Sequence, residues 1–157
     1  MQNADAAGID FIDPYIFPCR GISAADQVDS FIDNLGDTFY SYVWVDIEQN
    51  PSPGCSWSSY TADQNCKFIG ELVDRILLRG KYPGFHSSNT MWNQVFGNAA
   101  ACSVYSDYPL WYANYNGQQS YDDFVSFGGW TSPSRKQYQA DVSVCGVTVN
   151  QNWYHQC

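Results

Sequence analysis

The pattern of hydrophobic and polar residues predicts strands that alternate with helices along the first two thirds of the chain. Two amphipathic stretches begin at N-terminal capping patterns, Ser23 with Asp26 and Thr61 with Gln64. The apolar positions after each pattern recur at helical spacing, and Gly80 is well placed to end the second stretch in a left-handed conformation. Both stretches are therefore predicted to be helices with one buried face.

Shorter segments have the character of strands, and the last third of the chain is rich in them. Two further short helices are predicted at 3–7 and 89–96. The predicted strands are 13–17, 42–48, 84–87, 110–115, 135–139 and 147–152. Alternating strands and helices followed by consecutive strands are typical of a parallel α/β sheet or barrel that ends irregularly. In such folds the functional site lies at the C-terminal ends of the strands.

The strand predicted at 42–48 carries two carboxylates, Asp46 and Glu48, at its C-terminal end. Residues two apart on a strand point to the same face, so these side chains are expected to lie side by side. The opposite face is apolar and consists of Val43, Val45 and Ile47. Burial and a neighbouring negative charge both raise a carboxyl pKa, which keeps a general acid beside an ionised partner, as glycoside hydrolysis requires. For these residues taken alone, the commoner alternative is a strand that runs into a solvated acidic turn.

Composition and charge narrow the class of protein. The 157 residues are 45% hydrophobic and 17% aromatic, enough for one domain with a real core. No apolar run reaches the roughly 18 residues of a transmembrane helix, so we expect no membrane partner. A net charge of −9 argues against a nucleic-acid partner, because phosphates need Lys and Arg contacts. We expect a monomer.

The cysteines predict an oxidising compartment. They contain no C-x-x-C pair and have little histidine nearby, which disfavours zinc and favours disulfides. Six cysteines allow about 15 pairings, and we expect only that Cys55 and Cys66 lie close, on either side of a short loop. The first residues lack the basic and apolar regions of a signal peptide. We therefore expect the N-terminal part of the protein to be absent from this chain.

Seven segments in order carry a family resemblance. They are Asp13–Cys19, Trp44–Glu48, Pro83–Ser88, Pro109–Tyr115, Phe127–Trp130, Lys136–Tyr138 and Val144–Asn150. Together they resemble the Chalaropsis-type lysozymes of glycoside hydrolase family 25, and are most similar to the animal and protist branch. The resemblance implies an α/β fold, an irregular TIM-like (β/α) barrel, with one glycoside hydrolase domain over residues 1–157. It also implies hydrolysis of the β-1,4 bond between N-acetylmuramic acid and N-acetylglucosamine in bacterial peptidoglycan.

The resemblance assigns roles to the two carboxylates. Glu48 falls on the family's catalytic acid/base. Asp46 falls on the neighbouring carboxylate, which helps the substrate's own acetamido group to act as the nucleophile. Because this route is an exception to the scheme with two catalytic carboxylates, their separation does not predict the stereochemical outcome. No metal and no organic cofactor are implied.

Two departures from the family pattern bear on activity. The family's first strand carries a Gly-Ile-Asp-like segment, but Gly8–Asp10 runs directly into a segment that resembles the third strand. We therefore interpret Gly8–Asp10 as a coincidental match and expect the chain to lack two N-terminal strands and one acid. A complete barrel needs roughly 200 residues or more. The second departure is Asn150, where the family pattern usually has aspartate.

The ends of the predicted strands supply the other candidates for substrate contact. Tyr15 is interpreted either as a sugar-binding residue or as an aromatic of the barrel interior. Only one of Trp111 and Tyr112 can face the cleft, and the sequence does not say which. His86 stands where the family often has tyrosine, and a structural role is the commoner alternative. The predicted substrate-binding residues are Tyr15, His86, Trp111, Tyr112, Asn114, Gln137 and Asn150.

Three functional hypotheses follow from these observations. The first is a secreted or lysosomal/phagosomal muramidase that serves bacterial digestion or defence. The second is a catalytically impaired relative that binds peptidoglycan, or a fragment with no function of its own, as Asn150 and the expected lack of N-terminal strands suggest. The third, a chitinase-like glycosidase, is less compatible with the ordered segments.

Overall fold

The computed structural model describes residues 2–9, 11–35 and 42–155. Helices and strands alternate up to the last two strands, as the hydrophobic pattern predicts. The helices are α1 (Gln2–Ala6), α2 (Ala24–Leu35), α3 (Ala62–Leu78) and α4 (Asn89–Phe96). The strands are β1 (Tyr15–Ile16), β2 (Tyr42–Asp46), β3 (Tyr82–Ser87), β4 (Leu110–Ala113), β5 (Arg135–Val144) and β6 (Val147–Trp153). Asp10, the last residue of the Gly8–Asp10 segment, lies outside the described residues.

The strands form one six-stranded sheet whose order follows the chain, from β1 at one edge to β6 at the other. Strands β1 to β5 are parallel, and β6 returns antiparallel to β5. Helices α2, α3 and α4 join the first four strands in turn, whereas β4 leads to β5 without a helix among the described residues. Parallel strands in chain order with helical connections are the arrangement of a (β/α) barrel wall. The predicted α/β fold with an irregular end is therefore confirmed.

The capping residues predicted from sequence begin and end the longest helix. The hydroxyl of Thr61 accepts a hydrogen bond from the Gln64 backbone N–H at 3.2 Å, and the Gln64 side chain accepts one from the Thr61 N–H at 2.9 Å. Gly80 follows α3 with a φ of 70°, which is the left-handed conformation that glycine adopts without strain. These caps fix the length of α3 against the sheet.

One face of β2 packs into the main hydrophobic core. Val43, Val45 and Ile47 are fully buried there, together with apolar residues of α2 and α3. The opposite face of β2 carries Trp44, whose ring is accommodated because its neighbour on β3 is Gly84. A Cβ at that glycine would lie 2.7 Å from the Trp44 ring. The alternation predicted for this strand is confirmed.

Two disulfides cross-link segments around the sheet. Cys19 bonds to Cys55 and joins the loop after β1 to the loop after β2. Cys66 of α3 bonds to Cys102, in the segment that leads to β4. Cys55 and Cys66, expected to lie close, thus belong to different disulfides. Cys145 forms no disulfide with a described residue, and Cys157 lies outside the described part of the chain.

No helix in the described ranges is long and apolar enough to cross a bilayer.

Candidate active site

A cavity of about 190 Å³ lies at the C-terminal ends of the parallel strands. Three of its lining residues form one row across the sheet. Asp46 on β2 is paired with His86 on β3, and His86 is paired with Trp111 on β4. Paired residues on neighbouring strands share a face of the sheet. The cavity is lined by Tyr15, Asp46, Glu48, His86, Trp111, Tyr115, Gln137 and Asn150.

The two carboxyl groups of the cavity interact with each other. Asp46 is 6% exposed, whereas Glu48 is half-buried. Burial raises the pKa of Asp46 to about 8, assisted by the charge of Glu48 and by a hydrogen bond between the two side chains. Burial also raises the pKa of Glu48, and the hydrogen bond from Asp46 opposes that rise. The pair therefore holds a proton at neutral pH, and the more deeply buried Asp46 retains it more strongly.

Asp46 also has an unsatisfied atom. Its Oδ1 is buried and accepts no hydrogen bond from the described residues. A buried polar atom without a partner costs free energy, about 1–3 kcal/mol or more. An unpaired buried polar atom of this kind is one of the features found at catalytic sites.

The imidazole of His86 is buried between its neighbours on β2 and β4. Its ring centroid lies 4.2 Å from that of Trp111, and its Nδ1 lies 3.0 Å from the Trp111 carbonyl oxygen. Burial lowers the pKa of His86 to about 4, although the hydrogen bond to the carbonyl acts in the opposite direction. His86 is therefore neutral at physiological pH.

Amide groups define the side of the cavity formed by β5 and β6. Gln137 Oε1 accepts hydrogen bonds from the Tyr115 hydroxyl at 2.7 Å and from Asn150 Nδ2 at 3.2 Å. Asn150 Oδ1 in turn accepts from the Asp141 backbone N–H at 3.1 Å. An aspartate at 150 has no N–H to donate to Gln137. The amide therefore suits this hydrogen-bond network.

Comparison with known proteins gives this geometry its context. The family described as "Lysozyme-like protein 1" matches residues 1–138. Probable GH family 25 lysozyme 5 of Dictyostelium discoideum is 37% identical over 98% of this chain and 70% of its own length. Lysozyme-like protein 5 of Caenorhabditis elegans is 31% identical, with the same coverage of 98% and 70%.

The chain belongs to the glycoside hydrolase family 25 lysozymes. Its relatives in Dictyostelium and C. elegans place it in the animal and protist branch of that family of glycoside hydrolases. The crystal structure of the lysozyme from Streptomyces coelicolor has the same fold, with a TM-score of 0.79 at 24% identity. It is matched over 99% of this chain and 71% of the other.

In this family 25 lysozyme the structure brings together most of the residues predicted from sequence. Asp46 and Glu48 share the cavity, and Tyr15, at 59% exposed, stands at its open side. His86, Trp111, Gln137 and Asn150 complete the predicted members. Their roles toward a substrate remain predictions.

Tyr112 and Asn114 do not line this cavity, contrary to the expectation that they contact substrate there. Alternation along β4 turns Tyr112 to the core side, where its hydroxyl donates to Asp123 Oδ1 at 2.7 Å. Asn114 follows on the same side and donates to Asp123 Oδ2 at 2.5 Å. The choice between Trp111 and Tyr112 is thereby settled in favour of Trp111.

Tyr115 is the cavity residue that sequence reasoning missed. The sequence contained a signal for it, because Tyr115 lies four residues after Trp111, and residues an even number apart on a strand point to the same face.

Within the described residues, no group of three His, Cys, Asp or Glu side chains could hold a metal ion.

Proposed function

We propose that this chain is a muramidase that hydrolyses the β-1,4 bond between N-acetylmuramic acid and N-acetylglucosamine in bacterial peptidoglycan. The observation that carries the proposal is the proton-sharing pair Asp46–Glu48, in a cavity at the C-terminal ends of the strands of a family 25 lysozyme. A carboxyl that stays protonated near neutral pH is what protonation of a glycosidic oxygen requires.

Glu48 is the proton donor in this proposal. It is the more accessible of the two carboxyl groups and can reach a glycosidic oxygen in the cavity. Its proton passes to the leaving oxygen as the bond from that oxygen to the sugar's anomeric carbon breaks. The acetamido oxygen of the same sugar attacks the anomeric carbon, and Asp46 holds the acetamido group. Water then opens the resulting ring, and Glu48 takes the proton from that water.

Substrate binding shifts the proton toward its catalytic position. In the empty cavity Asp46 holds it more strongly because Asp46 is the more buried group. A sugar that fills the cavity excludes water from Glu48, and desolvation raises a carboxyl pKa. A substrate hydrogen bond to the Asp46 carboxylate favours the ionised form of Asp46.

The decisive experiment replaces the proton donor. Glu48→Gln removes the proton donor and general base with little change in shape, and should reduce release of reducing ends from bacterial walls by at least about 100-fold. Glu71→Gln, the same change at an exposed position on α3, is the matched control and should retain full activity. Equal wall clearing by the Glu48→Gln and Glu71→Gln variants would refute the assignment of Glu48.

One observation favours a second candidate, a glycan-binding protein without hydrolysis. Asn150 gives the cavity a neutral amide, held by Gln137 and the Asp141 backbone, where the family pattern has an acid. Peptidoglycan pull-down and reducing-end assays on the same preparation separate the two functions. Binding without release of reducing ends would favour this candidate over the muramidase.

We further propose that the protein acts as a monomer in a secreted or lysosomal/phagosomal compartment, in bacterial digestion or defence. Two disulfides support an oxidising environment, because cytosolic thiols are kept reduced. Fractionation of the source cells, with mass spectrometry before and after reduction, tests the compartment. Recovery in the cytosol with reduced cysteines would contradict it.

A further inference from the structure

His86 lies at the centre of the row that forms the cavity wall. Its register partners are Asp46 on one side and Trp111 on the other. The imidazole is 6% exposed, yet it contributes to the lining of the cavity. The ring is therefore almost fully buried, although the residue borders the cavity.

The hydrogen bond of His86 determines its tautomer. The partner of Nδ1 at 3.0 Å is a backbone carbonyl oxygen, which can only accept. Nδ1 must therefore carry the proton of the neutral ring. The remaining nitrogen, Nε2, then has a free lone pair, and no described residue donates a hydrogen bond to it.

Several polar groups around the cavity already donate a hydrogen bond within the protein. The Tyr115 hydroxyl and the Asn150 amide both donate to Gln137. The indole N–H of Trp111 donates to Asn152 Oδ1 at 2.9 Å. The lining contains two acids, Asp46 and Glu48, and no Lys or Arg. Around His86 the cavity therefore offers hydrogen-bond acceptors, such as the carboxyl oxygens, together with donors such as the Gln137 amide.

We propose that His86 is a substrate-binding residue that accepts a hydrogen bond through Nε2 from an N–H or O–H group of an uncharged sugar, and so positions that sugar beside Asp46. This inference rests on the proposed function for the class of ligand. It adds that the acceptor is fixed in advance, because the Trp111 carbonyl holds the imidazole in one tautomer. A preformed acceptor orients the ligand without any change in protonation.

The tautomer can be measured without any enzymatic activity. The chain has two histidines, so ¹⁵N-labelled imidazoles give two sets of signals, and a His155→Gln variant assigns them. His155 packs against Trp153 and Tyr121, away from the cavity lining. We expect His86 to show a protonated Nδ1 and an unprotonated Nε2 throughout the range from about pH 5 to pH 8. A protonated Nε2, or titration of His86 near its ordinary pKa of 6.5, would overturn the inference.

Two sugar probes identify the donor. Tri-N-acetylglucosamine offers both amide N–H and hydroxyl groups, whereas cellotriose of the same length offers hydroxyls only. A change in the Nε2 signal with both sugars assigns a hydroxyl donor, and a change with the N-acetylated sugar alone assigns the amide. A signal change at Nδ1 instead of Nε2, or binding that leaves both nitrogens unchanged, would contradict the proposal.

Variants give the energetic test. His86→Phe keeps a ring against Trp111 but removes the acceptor, and should weaken trisaccharide binding roughly three- to tenfold. His86→Gln, which can place a carbonyl oxygen there, should recover part of the loss, and His155→Gln should bind normally. In a wall-hydrolysis assay the His86→Phe loss should fall mainly on KM.

The outcomes separate this inference from the proposed function. A change at Nε2 on sugar binding, without hydrolysis of walls, would refute the muramidase and support the role of His86. Hydrolysis of walls with no change at Nε2 would refute the role of His86 alone. Failure of both sugars to bind would overturn the role of His86 in recognition.

Discussion

Two clusters of buried polar groups in this protein differ in whether their carboxyl groups are paired with a cation. In the cavity, Asp46 and Glu48 lie beside each other without a cation in the lining, and the pKa of both is raised, chiefly by burial. On the core side of β4, Lys136 is fully buried, and its Nζ lies 2.7 Å from Asp123 Oδ1. Burial alone would raise the pKa of Asp123, but hydrogen bonds from Lys136, Tyr112 and Asn114 outweigh it and lower that pKa.

The difference distinguishes a candidate reactive site from a structural one. Asp123 accepts four side-chain hydrogen bonds, one of them from the Lys136 cation, so little capacity remains for a ligand. Asp46 keeps a buried oxygen that no described residue satisfies. Perturbed carboxyls with unmet hydrogen-bonding capacity are typical of active sites, whereas fully paired ones are typical of packing.

The largest effect on stability is expected from Asp46→Asn. The unfolded chain ionises Asp46 near pH 3.8, whereas the folded protein holds that proton up to about pH 8. The unfolded state therefore binds fewer protons in this window, so the stability of the wild type falls as pH rises from about 4 to about 8. At about 1.4 kcal/mol per unit of pKa, the loss reaches at most roughly 5 kcal/mol.

Because asparagine does not ionise, the Asp46→Asn variant does not lose stability in this way as the pH rises. We expect the variant to unfold at higher denaturant concentration than the wild type at pH 7.5, with equal or lower stability at pH 4, and to lose most of its hydrolytic activity. Urea titrations at both pH values measure the effect, and Asp63→Asn at an exposed position of α3 is the control. A wild type whose stability does not change between these pH values would refute the raised pKa.

At the Lys136–Asp123 pair, in contrast, we expect removal of a charge to lower the stability of the fold. Lys136→Met leaves Asp123 without its cation in a partly buried place, and should destabilise the fold by about 3 kcal/mol. That is the lower end of the range for buried pairs, because Asp123 keeps some contact with water. The double variant with Asp123→Asn should recover part of the loss in the same urea titrations. If Lys136→Met is as stable as the wild type, the two clusters do not differ as described.

The carboxyl pair and the face on which it lies could be predicted because strand geometry is local. Alternation alone puts Val43 and Val45 in the core and Asp46 in the cavity. The same rule could not choose between Trp111 and Tyr112, because each is aromatic and fits either face. The two residues are distinguished by a tertiary contact, since Asp123 accepts a hydrogen bond from the Tyr112 hydroxyl.

The C-terminal hairpin was predicted only in part, for a related reason. Strand β5 extends to Val144, five residues beyond the predicted end, and turns through Cys145 and Gly146 with φ values of 52° and 80°. Positive φ at both central residues is the type I′ geometry that matches strand twist. Asn-Gly and Asp-Gly are sequence signals for such a turn, whereas Cys-Gly is not.

The disulfide pairing could not be predicted either, because it depends on which segments the fold brings together.

The smallest effect is expected at Tyr115, which supports the cavity through one neutral hydrogen bond. Tyr115→Phe removes the donor to Gln137 Oε1 while Asn150 still donates to that oxygen. One such bond contributes about 1 kcal/mol, so catalytic efficiency should fall roughly fivefold. Tyr154→Phe, at a side chain 53% exposed, should have no effect on the same wall-hydrolysis assay. A Tyr115→Phe enzyme with unchanged efficiency would show that Gln137 is held without it.

The most direct measurement is a ¹³C NMR titration of the side-chain carboxyl carbons. With Asp46 and Glu48 coupled in the cavity, one carboxyl signal should titrate near pH 8 and disappear in Asp46→Asn. In the same variant the pKa of Glu48 should change, because its hydrogen bond from Asp46 is altered. If every carboxyl of the wild type instead titrates below about pH 5, the two groups do not share a proton at neutral pH, and the cavity is not an acid/base site built on this pair.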